Sequence, residues 1–222
     1  MQQRGVPHFH EELEALQGRL LEMGGLAEER VRAAVEGLVA RDVTIIDAVL
    51  AGDEPINALH IEVDERCFRL LALHQPMATD LRAIVAAVKI NTDLERVGDL
   101  AVNIAEAARR YAGHPPVKKL VDIPMMGTIA QAMLRDALDA YVRRDVELAQ
   151  HVLNEDDRVD GLKTQVFREL LTYMLQDPRT VEPSLDLILV SRHIERIGDH
   201  ATNVAEDVIF MVSARDVRHS LE

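Results

Sequence analysis

The sequence predicts an all-α protein built as two tandem three-helix bundles that arose by internal duplication. Three observations support this fold class. Apolar residues recur every three or four positions along most of the chain, the spacing of a buried helix face. Sustained strand-like alternation and hairpin turns of the Asn-Gly type in a strand-like setting are lacking. A twelve-residue segment, 95–106, also recurs at 195–206 with eight identical positions.

The first half contains three predicted helices. Apolar positions step by threes and fours over residues 13–38, and a second pattern starts after Arg41-Asp42, breaks near Gly52 and continues to His74. A third pattern follows Gln75-Pro76 and runs to about Tyr111. Proline in the first turn is typical of a helix start, so Gln75-Pro76 indicates the beginning of the third helix.

The second half repeats this order after a linker. Pro115-Pro116 cannot lie inside a helix, and the segment around it is the best domain boundary in the chain. Helical patterns then cover residues 129–141, 146–175 and 181–212. We therefore predict an N-terminal bundle at residues 1–113, a linker at 114–124 and a C-terminal bundle at 125–222.

Composition excludes several classes of function. The chain of 222 residues carries 25 basic and 38 acidic side chains, a net charge of −13, so it lacks the basic footprint of a nucleic-acid-binding protein. Only 3% of its residues are aromatic, which leaves few platforms for stacking bases or sugars. No apolar run approaches the roughly 20 residues that cross a bilayer, so we expect no membrane insertion. Cys67 is the single cysteine and is expected in the core.

The duplicated segment carries a row of oxygen-bearing side chains. Glu95, Asp99, Asn103 and Glu106 fall within a stripe roughly 80° wide on a helical wheel, opposite the apolar positions. The stripe is therefore expected to face outward, and the second copy repeats it. Like charges four residues apart are unfavourable, and a mid-helix glycine beside each stripe suggests close packing or close approach of another group.

Carboxylates and amides in a row are the donors that hard cations prefer. One helix supplies ligands from one side only, so acids of the preceding helix are the natural complement. The predicted metal ligands are therefore the acidic and amide side chains of these two helices in each half: Asp53, Asn57, Glu95, Asp99 and Asn103, then Asp156, Asp160, Glu195, Asp199 and Asn203. Asp53 follows Gly52 and precedes Pro55, so it is equally well explained as a helix N-cap, and the two roles are compatible.

At the paired ERVGD and ERIGD segments the chain resembles the PhoU family, the accessory and regulatory proteins of phosphate transport. QPMATDLR at 75–82 and MLQDPRTV at 174–181 extend this resemblance over nearly the whole chain. It implies two tandem three-helix bundles and metal binding by an acid pair spaced by four residues. That pair falls on Glu95 with Asp99, Glu195 with Asp199, and Asp156 with Asp160, whereas Asp53 with Asn57 departs from it because the second acid is an amide.

The resemblance implies a regulatory role rather than a reaction. It predicts a negative regulator of the phosphate-starvation response, a homodimer in the cytoplasm that reaches the inner membrane face through its partners. Those partners would be the phosphate ABC transporter and a phosphate-sensing histidine kinase. The cofactors would be divalent or trivalent metal ions, with Mg, Mn, Fe and Zn all left open. The alternatives are a carboxylate-cluster metalloenzyme, a metal-storage helical protein, and a protein whose acidic faces are only solvated.

Overall fold

A computed structural model of the chain describes residues 6–52 and 54–215. In this part of the chain the regular structure is helical, in the order α1 (Val6–Ala40), α2 (Val43–Ala51), α3 (Glu54–His74), α4 (Thr79–Ala112), α5 (Asp122–Arg143), α6 (Val146–Gln176) and α7 (Val181–Ser213). A short 3-10 turn, Pro178–Thr180, precedes α7. The all-α prediction is confirmed, and the break predicted near Gly52 separates α2 from α3.

The two halves have the same internal order. In the first half α1 packs against α2, α3 and α4, and in the second half α5 packs against α6 and α7. The halves meet mainly where α4 packs on α7 and α1 packs on α5. Each of these contacts pairs a helix with its own repeat, which is the pattern that a pseudo-two-fold axis produces.

The α1–α5 contact shows this symmetry at the level of single residues. Leu138 of α5 packs on Gly24 of α1 so closely that a Cβ atom on Gly24 would overlap its Cδ1 atom. The equivalent contact, related by the pseudo-two-fold axis, places Val35 of α1 on Gly127 of α5. A Cβ atom on Gly127 would lie 3.2 Å from Val35 Cγ2. Both glycines thus permit the close approach of the two helices.

The turn before the second helix is repeated as well. Arg41 and Arg144 both have a left-handed backbone, with φ of 55° and 56°. The next residue caps the following helix: Asp42 accepts a hydrogen bond from Thr44 N at 2.8 Å, and Asp145 accepts one from Leu148 N at 3.0 Å. The repeated segments Arg41-Asp42-Val43 and Arg144-Asp145-Val146 therefore form the same turn between two helices, with the aspartate as N-cap of the second helix.

The core runs through the centre of both bundles and is built from aliphatic side chains and alanines. Cys67 is fully buried in it, as expected, and burial raises the pKa of its thiol to about 12. The segment between the halves is non-helical from residue 113 to 121, and α5 begins at Asp122 with Pro124 in its first turn. No helix among the described residues is both long and apolar enough to cross a membrane.

Candidate functional site

The two oxygen-rich stripes lie on α4 and α7 and face outward, as predicted. Asp99 and Glu106 of α4 are exposed, and so are Asp199 and Asn203 of α7; the remaining members are half-buried. The opposite side of each helix is buried in the core. On α4 that side is formed by Leu94, Val97, Ala101, Ile104 and Ala108.

In the second half, α6 and α7 bring four carboxylates together. We call Asp156, Asp160, Glu195 and Asp199 the α6–α7 acidic cluster. Lys163 of α6 ties the cluster across the two helices: its Nζ donates to Asp160 Oδ1 at 2.8 Å and to Glu195 Oε1 at 2.6 Å. These hydrogen bonds raise the pKa of the Lys163 ammonium, which therefore stays charged.

The other two carboxyl groups of the cluster, those of Asp156 and Asp199, lie where their ionised forms are unfavourable. Burial, followed by repulsion from Asp199 and Asp160, raises the pKa of Asp156 to about 6. Burial and then Glu195 and Asp160 raise the pKa of Asp199 above its ordinary value. Desolvation and like-charge repulsion both disfavour the ionised form, and a bound cation would relieve both.

Gly198 of α7 faces Asp156 of this cluster and Met133 of α5. A Cβ atom on Gly198 would lie 3.5 Å from Asp156 Oδ1 and 3.7 Å from Met133 Cε. The equivalent glycine of the first half, Gly98, meets an apolar neighbour instead, because its Cβ would lie 3.1 Å from Ile56 Cδ1. The predicted close packing is confirmed at Gly98, whereas the neighbours of Gly198 lie at ordinary contact distance.

The first half shows less of its predicted site. Asp53 lies outside the described residues, and Asn57 is exposed on α3. Within the part of the chain that is described, neither Glu95 nor Asp99 has a hydrogen-bond or ion-pair partner. Counting from the matching caps, His60 occupies the position of Lys163, and its Nδ1 lies 3.4 Å from the carbonyl oxygen of Asn91.

Polar side chains also cross the seam between α4 and α7, and the sequence pattern did not single these out. Among the described residues, two ion pairs connect the helices, Lys89 with Asp207 at 2.7 Å and Arg110 with Asp186 at 2.8 Å. A hydrogen bond also joins His200 Nδ1 and Asp93 Oδ1 at 2.8 Å. The amide of Asn203, a predicted metal ligand, donates to Asp93 Oδ1 at 3.4 Å across this seam. Asn103, its counterpart on α4, is half-buried.

The chemistry of the α6–α7 acidic cluster suits a hard cation, although the side chains are not arranged around one. Among the described residues, no group of three or more His, Cys, Asp and Glu side chains converges closely enough to hold a metal ion. Lys163 already neutralises part of the cluster. Metal binding would therefore require Asp156 and Asp199 to move together or the Lys163 ammonium to swing away.

The fold and this surface define a duplicated all-α protein whose polar features lie on outer helix faces and along the seam between its halves. A family model for the PhoU domain matches residues 20–108 and again 123–208. The chain belongs to the PhoU family. This confirms the resemblance carried by the ERVGD and ERIGD segments.

Individual relatives match over nearly the full length. The chain is 42% identical over 218 residues to a phosphate-specific transport system accessory protein PhoU homolog of Caulobacter vibrioides, covering 98% of this chain and 95% of that protein. The crystal structure of PhoU from Pseudomonas aeruginosa has a TM-score of 0.88 and 41% identity, over 93% of this chain and all of that one. The regulatory protein PhoU of the phosphate transport system from Streptococcus pneumoniae has a TM-score of 0.86 at 25% identity, over 94% of this chain and 99% of that one.

Proposed function

We propose that this chain is a non-enzymatic accessory protein that regulates a phosphate transport system. The observation that carries the proposal is the near-complete coverage by relatives that are named for this role, at about two-fifths identity. The proposal assigns no reaction to the chain. Its partners are the phosphate ABC transporter and the phosphate-sensing histidine kinase, and it acts as a cytoplasmic homodimer at the inner membrane face.

The regulatory direction is negative, so the protein keeps the phosphate-starvation response off when phosphate is plentiful. Deleting the gene should derepress phosphate-starvation genes in phosphate-rich medium, and a plasmid copy should restore repression. Transcript levels of those genes measure the effect. Normal repression in the deletion strain would contradict the proposal.

The α6–α7 acidic cluster is proposed as a surface metal site. The raised pKa values of Asp156 and Asp199 support this, because both carboxylates carry repulsion that a cation would remove. A bound ion would supply positive charge that holds α6 and α7 together and bridges to a partner's oxygen atoms. The first half would bind through Glu95, Asp99 and Asn103 of α4 and Asn57 of α3. The remaining predicted ligand, Asp53, lies outside the described residues.

A metalloenzyme would need open coordination positions in a water-excluding pocket. Asp160 and Asp199 are exposed instead, so a structural or regulatory surface ion is favoured over catalysis. The exposure of these two carboxylates therefore favours the regulatory protein over the alternative of a carboxylate-cluster metalloenzyme.

Mn²⁺ titration of the purified protein by calorimetry tests the metal site. Asp156→Asn with Asp199→Asn should abolish the second-half binding event. Glu29→Gln with Glu36→Gln, which removes two exposed carboxylates from α1, is a control of equal charge and should bind like the unaltered protein. Lys163→Gln should tighten binding severalfold, because the competing ammonium is gone. Equal binding by all four proteins would exclude this cluster as the site.

A further inference from the structure

The outer face of α7 carries a stripe that the proposed function does not use. Val181, Leu185, Leu189, Arg192 and Arg196 follow each other at intervals of three or four residues, so they lie along one side of the helix. The three apolar side chains are 39%, 51% and 40% exposed, and both arginines are exposed. We call these five residues the α7 stripe.

The two cations of the α7 stripe lack partners within the chain. In the part that the structure describes, Arg192 and Arg196 make no ion pair and no hydrogen bond. This contrasts with Arg19, Arg32 and Arg66, each of which pairs with glutamate. Glu195 and Asp199 each follow one of these arginines by three residues on α7, yet neither pairs with it, and Glu195 is bound by Lys163 instead. Both exposed guanidinium groups are therefore open to a carboxylate from outside the chain.

The helix that carries the stripe is held firmly in place. Asp186, next to Leu185, is buried and accepts a hydrogen bond from Arg110 Nε of α4 at 2.8 Å. The opposite side of α7 is packed into the core by Leu187, Val190 and Ile194. A surface on a rigid, well-packed element presents its side chains in fixed positions, which lowers the entropy lost on binding.

The same face of α4 has diverged from this pattern. Its equivalent positions are Leu81, Val85, Lys89, Thr92 and Arg96, and Lys89 is paired with Asp207 at 2.7 Å. The apolar start is kept, with Leu81 and Val85 42% and 40% exposed, while the continuous run of three apolar and two unpaired cationic residues occurs on α7. The stripe is therefore specific to the second repeat.

We propose that the α7 stripe is the docking surface for an acidic amphipathic segment of a partner protein, with apolar side chains against Leu185 and Leu189 and carboxylates against Arg192 and Arg196. Charge complementarity selects the acidic partner. The adjoining apolar residues favour a polypeptide over a free anion, which would contact the arginines alone. The choice of partner rests on the proposed function, whereas the location and chemistry of the surface do not.

Binding to membranes tests the proposal. The purified protein is sedimented with membrane vesicles that contain the phosphate ABC transporter, with vesicles from cells lacking it, and with liposomes of anionic phospholipid. Arg192→Glu with Arg196→Glu should weaken binding to transporter vesicles at least tenfold, and Leu189→Gln should weaken it severalfold. Arg32→Glu with Arg143→Glu makes the same change in charge at exposed arginines of α1 and α5 and should bind normally. Circular dichroism confirms that every variant is folded.

A photo-crosslinking amino acid at position 189 in living cells tests the docking surface independently of the proposed role in phosphate transport. The expected product joins α7 to an acidic segment of the transporter and disappears when both arginines are reversed. A product that joins α7 to an acidic segment of an unrelated protein, with the same arginine dependence, would support the surface and count against the proposed function. The docking surface is overturned by undiminished binding of the arginine variant, by equal arginine-dependent binding to the liposomes, or by lack of any crosslink.

Discussion

The carboxyl group of Asp156 sits where burial and four neighbouring acids disfavour its charge, and its pKa is raised to about 6. An unfolded aspartate has a pKa of about 3.9. Between these two values the folded chain keeps a proton that the unfolded chain has released. The free energy of unfolding contributed by this group therefore falls as pH rises from about 4 to about 6 and stays low above that range.

Asp156→Asn should remove this penalty. In metal-free buffer containing a chelator, the variant should be more stable than the unaltered chain, and this advantage should be about 1 kcal/mol larger at pH 7 than at pH 4.5. The value is reduced for solvent screening. Urea denaturation at both pH values measures the difference. A gain that is the same at both pH values would show that Asp156 ionises normally in the folded state.

At the scale of single helices, the sequence indicated where each helix lies and which of its faces is buried. The apolar spacing and the prolines near helix starts predicted the order of the helices and the breaks between them, and the structure adds the aspartate caps at Asp42 and Asp145. The partner of the acidic stripe was not predictable in this way. Lys163 lies on α6 and reaches Glu195 on α7 only after the helices pack, and a helical wheel displays one helix at a time.

The α4–α7 seam was missed for a related reason. Asp93 and His200 occupy positions that a helical wheel assigns to the boundary between the apolar and polar faces, and they become partners only when the two repeats meet. Sequence periodicity indicates that a face is buried but does not indicate which helix covers it. Gly98 was informative because Ile56 packs closely on it, although a mid-helix glycine alone does not show this, since Gly25 has no neighbour where a Cβ atom would lie.

Neighbouring arginines of α4 provide a test of the seam. Arg110 pairs with Asp186, whose side chain is only 7% exposed, whereas Arg109 pairs with Asp47, and both of those side chains are about half exposed. Arg110→Ala should therefore cost about 1–3 kcal/mol, because it leaves a buried carboxylate without its cation. Arg109→Ala should cost less than about 1 kcal/mol. Thermal denaturation of the two variants compares them, and equal losses would show that the Asp186 pair is not specially stabilising.

The whole molecule depends on the contact between its two repeats. Gly24→Ala forces the Leu138 side chain from its position on α1, so this variant should be less stable than Gly25→Ala by about 1–3 kcal/mol. A methyl group on Gly25 would instead meet open space, so Gly25→Ala should be neutral or stabilise α1 by up to about 1 kcal/mol. Denaturant unfolding of both variants measures this. Similar stability of the two would mean that Leu138 can rotate away at no cost.

The symmetric contacts also explain how the two repeats have diverged. The pairing of α1 with α5 and of α4 with α7 holds the halves together through residues that the duplication preserved, such as Gly24 and Gly127. Outer faces are released from that constraint. Two places show this divergence: Lys163 and His60 differ at equivalent positions, and the α7 stripe differs from the equivalent residues of α4.

The single thiol of the chain has a practical consequence for all of these experiments. Cys67 is fully buried and its pKa is raised to about 12, so the reactive thiolate form is scarce at neutral pH. Maleimide dyes and nitroxide spin labels should therefore leave the folded native chain almost unmodified. One cysteine introduced on an outer helix face of each repeat can then carry a fluorophore or spin label without background, and the distance between the two repeats becomes measurable in solution.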